Sequence, residues 1–144
     1  MFSKSCEYGI RASIYVAKQS VKERKVGQKE IAKAIDSPEA FTAKILQKLT
    51  KTNVIRSAKG PNGGFFVETG DLERVKLWNI VFAIDGNSLF DDCSLGLRKC
   101  NAEKPCLLHH KFVKIRAEIR ETLEKTTLKS LAEEVSIGAA YLKR

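Results

Sequence analysis

Residues 54–67 restrict the chain to one local topology. Val54-Ile55-Arg56-Ser57-Ala58 reads as a strand, Lys59-Gly60-Pro61-Asn62-Gly63-Gly64 is turn-forming throughout, and Phe65-Phe66-Val67 reads as the returning strand. Such a run cannot continue a helix, because Gly loses the most backbone entropy on ordering and Pro lacks the donor that an interior turn needs. The expectation is a β-hairpin with a basic, flexible tip. A glycine loop can also cradle a nucleotide, but no Gly-Lys-Ser/Thr follows and the loop leads into a strand rather than a helix, which discounts a nucleotide enzyme.

Upstream, the apolar period is helical. From Ser3 to Ser20 apolar residues recur at Ile10, Ile14 and Ala17, continuing to Val21, before Lys22 to Lys25 break the pattern. A second helix is expected from Gln28 to Ile35, with Ile31 and Ile35 on one face. In Asp36-Ser37-Pro38, Ser37 suits the N-cap and Pro38 the first helical position of a third helix, Pro38 to Thr52. That helix should bury Phe41, Ile45, Leu46 and Leu49, leave Thr42, Lys44, Gln47, Lys48 and Lys51 outside, and close at Asn53, which tolerates the left-handed conformation. Two short helices joined by a tight turn describe either a helix-turn-helix or an ordinary amphipathic helical hairpin. The β-hairpin that follows favours the former, as a wing whose Lys59 and glycine amides meet phosphate. A net charge of +9, from 26 Lys and Arg against 17 Asp and Glu, makes a polyanion a reasonable partner.

Nothing at the start resembles a signal peptide, since Lys4, Glu7 and Arg11 interrupt the apolar positions, and no later apolar run has the length of a membrane span. A cytoplasmic protein is expected, and in a reducing compartment clustered thiols are more often metal ligands or redox groups than disulfides. Three of the four cysteines, Cys93, Cys100 and Cys106, have six and then five residues between them, and His109 follows Cys106 by about one helical turn. Three thiolates and one nitrogen can complete a [2Fe-2S] site. His110 would point about a quarter of the way round the helix, which makes His109 the better ligand. Structural zinc is the alternative, although zinc sites usually bring paired thiolates in Cys-x2-4-Cys and no such pair exists here; an uncoordinated thiol sensor is another. Cys6 reads as a small buried hydrophobe of the first helix, and Trp78, Phe65, Phe66 and Phe82 read as core rather than as base-stacking platforms. From Leu108 an apolar stripe runs through Phe112, Ile115, Ile119 and Leu123, narrow enough for a helix-helix seam, though such a stripe can also pack on its own domain.

Taken in order, YGIRASIYVA, QKEIAKAIDSPEAFTAKILQKLTKTNVIRSAKGPNGGFFV, VKLWNIVFAIDG and the cysteine loop resemble the Rrf-two family of bacterial winged helix-turn-helix transcription regulators, from residue 2 to about residue 135. The most specific parts are Ser-x-x-Gly-Pro-x-Gly-Gly at Ser57 to Gly64 and the three-cysteine loop. The resemblance implies a mainly α fold, a winged helix-turn-helix with a small two-stranded wing and a long C-terminal dimerisation helix. Residues 1–86 would form the DNA-binding domain, 87–105 the metal-binding loop, and 106–144 the dimerisation helix and C-terminal segment. No enzymatic activity and no membrane are implied.

Members of the type that controls iron-sulfur assembly or senses nitric oxide bind DNA as homodimers and carry an iron-sulfur cluster; other members lack the cysteines. On this chain the ligands would be Cys93, Cys100, Cys106 and His109, with Glu7 of the partner subunit as an alternative fourth, and [2Fe-2S] favoured over [4Fe-4S]. Contacts to double-stranded DNA, an inverted-repeat operator, would fall on Gln28, Ser37, Thr42, Lys44, Lys48, Lys59, Gly60 and Asn62. The dimer interface would use Leu108, Phe112, Ile115, Ile119 and Leu123. A regulator controlled by zinc, free thiols or a bound partner enzyme, and an electron-transfer iron-sulfur protein, are the alternatives to a sensor of iron, redox state or nitric oxide.

Overall fold

The computed structural model describes residues 1–144 as eight helices and one hairpin: α1 (Lys4–Val21), α2 (Gln28–Ile35), α3 (Glu39–Lys51), β1 (Arg56–Ala58), β2 (Gly64–Phe66), α4 (Thr69–Arg74), α5 (Leu77–Asp85), α6 (Ser88–Asp91), α7 (His109–Lys125) and α8 (Leu128–Ser136). α1 starts at Ser3, whose hydroxyl accepts the Cys6 amide at 3.0 Å and so satisfies one of the donors left free at a helix N-terminus. The Ser3 amide donates to the Asp85 carboxylate at 2.9 Å, which ties the start of α1 to the end of α5. Ala12, Ile14, Val16 and Ala17 of α1 lie in a core shared with Ile31 and Ile35 of α2 and with Ile45, Leu46 and Leu49 of α3. Ile80 of α5 joins them. No helix is long and apolar enough to cross a membrane.

The last layer of that core is α8. Leu128 and Ala132 belong to the same cluster as α1, and the chain enters α8 through a short bridge in which Leu77 N–H donates to Thr126 O and Leu128 N–H to Val75 O, both at 2.9 Å. α8 thus packs against α1 and α4, while α7 meets α5 and brings Leu123 against Cys6 and Val81.

The helix-turn-helix differs from expectation at its corner. Asp36 closes α2 in the left-handed conformation (φ 53°, ψ 57°), and Pro38, not Ser37, is the N-cap of α3. Its carbonyl accepts the Thr42 amide at 2.9 Å, so the first helical residue is Glu39. The wing is shorter than expected because Val54 and Ile55 both turn inward, 2% and 1% exposed, and leave pairing to begin at Arg56. A side chain at Gly63 would place its Cβ 2.3 Å from the Ala58 carbonyl oxygen, so the tight return of the hairpin requires glycine there. Val26 extends the hairpin as a third, single-residue strand: it exchanges amide-to-carbonyl bonds with Phe65 at 3.0 and 2.7 Å, which fixes the wing to the residues just before α2. Phe82, expected in the core, is 51% exposed. It stacks on Trp78 with ring centroids 5.9 Å apart, and Trp78 meets Phe90 at 5.1 Å, because the α5 face carrying Trp78 and Phe82 turns toward α6 and away from the core.

Candidate nucleic-acid interface and metal centre

The outer face of α3 carries Lys44, Gln47, Lys48 and Lys51, all exposed, and the hairpin tip exposes Lys59, Gly60, Pro61 and Asn62. None of these four lysines takes part in an ion pair, so their charge is uncompensated. At the base of the wing the opposite holds. Arg56 reaches Glu68 at 3.4 Å and Asp71 at 3.3 Å, and Asp71 also accepts from Arg74 at 2.8 Å. Arg74 first, and Arg56 after it, hold the Asp71 carboxyl below the usual carboxylate range. The wing thus presents its free charge at the tip alone. Gln28, half-buried, joins the first turns of α2 and α3 through Nε2, 3.5 Å from the Glu39 carbonyl.

Thr42 is not on the outer face. It is fully buried, and its hydroxyl lies 3.0 Å from both Ser37 Oγ and the Pro38 carbonyl oxygen, closing the corner between α2 and α3. A buried hydroxyl satisfies its hydrogen bonds locally, and here the partners are the residues just before the helix. Thr42→Val, which keeps the shape and removes the hydroxyl, is expected to cost about 1 kcal/mol in denaturant unfolding and to leave base preference unchanged. An altered base preference at unaltered stability would return Thr42 to the contact surface.

The cysteine loop, residues 92–108, begins after α6 and ends at Leu108, the N-cap of α7. His109, the first residue of α7, is 9% exposed, and its Nδ1 stands 3.2 Å from Cys100 Sγ. His110 is exposed, its ring edge-on to that of His109. Cys93 is half-buried in the same loop. The Leu95 amide, then the Leu97 amide, the Cys106 thiol and Arg116 pull its thiol below the ordinary value, against the opposing effect of burial. Of the expected ligands the structure brings Cys100 and His109 into contact, and no group of three or more His, Cys, Asp or Glu side chains is gathered closely enough to hold one ion. Their chemistry suits a soft centre, three thiols and an imidazole on one segment. Glu7 stands apart from them on α1, paired with Lys4 at 3.0 Å. Cys6 is fully buried, and burial, reinforced by Asp85, pushes its thiol up to about 12, which leaves it inert as a nucleophile or ligand.

Along α7 the apolar stripe divides. Leu123 is 2% exposed and packs with Cys6 and Val81, so it is core rather than interface, because the last turn of α7 lies over α1 and α5. Leu108, Phe112 and Ile119 are half-buried, whereas Ile115 is 46% exposed beside the still more open Met1 and the partly covered Phe2.

A cationic helix following a tight turn, with a glycine-tipped hairpin beside it, defines a winged helix-turn-helix protein. Residues 2–134 match the family model described as "Rrf2: Iron-dependent Transcriptional regulator", and the chain belongs to that family, whose members are transcriptional regulators and not enzymes. It is 32% identical over 133 residues to a candidate HTH-type transcriptional regulator of Aquifex aeolicus, covering 91% of this chain and 90% of that protein. It is 26% identical over 132 residues to protein aau3 of Rhizobium meliloti, covering 91% and 84%. Among solved structures, CymR, the global cysteine regulator of B. subtilis, superposes with a TM-score of 0.74 at 20% identity over 92% of this chain and 96% of its own. T. potens IscR superposes with a TM-score of 0.73 at 19% identity over 97% and 91%. Both share the fold.

Proposed function

We propose that the chain is a homodimeric, sequence-specific regulator that binds an inverted-repeat operator and senses iron, redox state or nitric oxide through an iron-sulfur cluster, [2Fe-2S] rather than [4Fe-4S]. The observation that carries this reading is the junction at His109, where a thiol-imidazole pair 3.2 Å apart forms the root of the helix whose Ile115 stands exposed. Cys93, Cys100, Cys106 and His109 would hold the cluster, with Glu7 of a second subunit as the alternative fourth ligand. A bound cluster supplies a centre that changes oxidation state or is dismantled by oxidant or nitric oxide. The protein's own part is to place four donors between α6 and α7, so that the order of the loop bears on the helix that pairs the two chains.

On the DNA side, Lys44 and Lys48 extend from α3 toward base edges, while Lys59, Gly60 and Asn62 bring the wing to the backbone and Gln28 and Ser37 support the entry of α3. Lys59→Ala is expected to weaken binding to every sequence alike and to flatten the salt dependence by about one unit of slope. Lys44→Ala is expected instead to shift preference at one base pair by about 1–3 kcal/mol. Equal binding by both variants and the parent, measured by salt-titrated fluorescence anisotropy, would remove this face from the interface. Iron, sulfide and zinc analysis of anaerobically purified protein tests the metal half of the reading, and zinc in place of iron would replace the cluster with a structural ion.

A further inference from the structure

Arg116 extends from the middle of α7 and donates to three acceptors on one short stretch of chain. Nη1 reaches the Phe90 carbonyl at 3.4 Å, and Nη2 reaches both the Asp92 carbonyl and, at 2.8 Å, Ser94 Oγ. These acceptors bracket Cys93. The first part of that stretch is also tied within α6, where the Phe90 and Asp91 amides donate to Asn87 O at 2.8 and 3.0 Å and the Asp92 amide to Ser88 O at 3.0 Å; beyond it, Cys100 N–H donates to Asp91 O at 3.0 Å and Gly96 N–H to Cys93 O at 2.9 Å. One end of the bracket is held firmly, because Phe90 packs on Trp78 at 5.1 Å and both rings lie 4.9 Å from the Arg120 guanidinium. All three acceptors of Arg116 are neutral and it joins no ion pair, so its positive charge stays uncompensated beside a thiol set that becomes anionic when it takes up a metal.

We propose that Arg116 is the positioning residue of the metal loop: its guanidinium fork clamps residues 90–94 to α7 so that Cys93 is presented to the site before metal arrives. This rests on the reading of Cys93, Cys100, Cys106 and His109 as metal ligands. A flat guanidinium with five donors in fixed directions can serve three acceptors along a bend, whereas a lysine ammonium is a single point of charge on a flexible stem. Preorganisation of this kind acts on affinity, because a ligand loop already ordered has less freedom to lose when it binds.

The test uses the apo protein and cobalt(II) as probe. In Arg116→Gln, hydrogen exchange at the Gly96 and Cys100 amides is expected to rise about tenfold, the loss of one charge-assisted tie, with a cooperative thermal transition retained. Cobalt(II), followed by its thiolate charge-transfer absorption, is expected to bind about tenfold more weakly, since the binding energy must now order the loop. Arg116→Lys should recover part of both losses, and Ser94→Ala, which removes one acceptor and leaves the arginine in place, should reproduce a smaller share of them. Unchanged exchange in Arg116→Gln overturns the clamp, and faster exchange with unchanged cobalt affinity overturns its service to the ligand set. A parent protein that takes up neither cobalt nor iron overturns the metal reading itself, together with what rests on it.

Discussion

Cys100→Ala is expected to strip the anaerobically purified protein of iron, and Cys93→Ala and Cys106→Ala are expected to do the same. Each change removes one of the three thiols proposed to hold the cluster, and the Cys100 substitution also leaves His109, 9% exposed, without the sulfur 3.2 Å from its ring. His109→Cys should behave differently: a fourth thiolate retains a cluster and lowers its potential, because nitrogen ligation raises the potential relative to sulfur. If the loop governs DNA binding, holo and apo forms should differ in operator affinity by about 1–3 kcal/mol, and the cysteine variants should be locked at the apo value. Iron retained by all three variants would place the metal elsewhere. Equal operator affinity of holo and apo protein would leave a DNA-binding protein with no switch in this loop.

The second large effect concerns the pairing of chains. Ile115→Asp with Ile119→Asp places two carboxylates on the open part of the α7 stripe, where Ile115 is 46% exposed and Ile119 half-covered. The double variant should sediment as a monomer, remain folded, and lose operator affinity by about a hundredfold or more, because each half-site then binds without the benefit of its tethered neighbour. Leu123→Asp supplies the contrast. That side chain is 2% exposed among Cys6 and Val81, so a charge there should unfold the protein rather than separate two copies. A dimer that survives the double change puts the interface on another face.

Local chemistry was readable where a residue's own backbone demands settle its place. The glycine requirement at the wing tip, the left-handed Asn53 and the buried Cys6 of α1 all follow from short-range constraints. Thr42 shows where this reading ends. Helical periodicity groups it with Lys44 and Lys48 as polar, yet a threonine at the start of a helix can turn its hydroxyl back to the preceding carbonyl, and only the path of the corner decides which it does. Phe82 fails for a related reason: in the largely apolar α5 only Asn79 and Asp85, three residues to either side of Phe82, mark an outer side, and the orientation of the helix is set by α1, α3 and α7, which are distant in sequence. The association of Cys100 with His109, rather than a closed four-ligand shell, was equally out of reach, because spacing limits how far a loop can extend and leaves open where it folds back.

The placement of α8 has a consequence for how the protein is made. Leu128 and Ala132 supply one face of a core that begins at Ala12, so during synthesis the helix-turn-helix leaves the ribosome well before the surface that covers it. The cysteine loop emerges in that interval, attached to a head that still lacks its last layer. A nascent chain arrested before Leu128 should therefore be captured by chaperones through the uncovered side of α1, and one arrested after α8 has emerged should not.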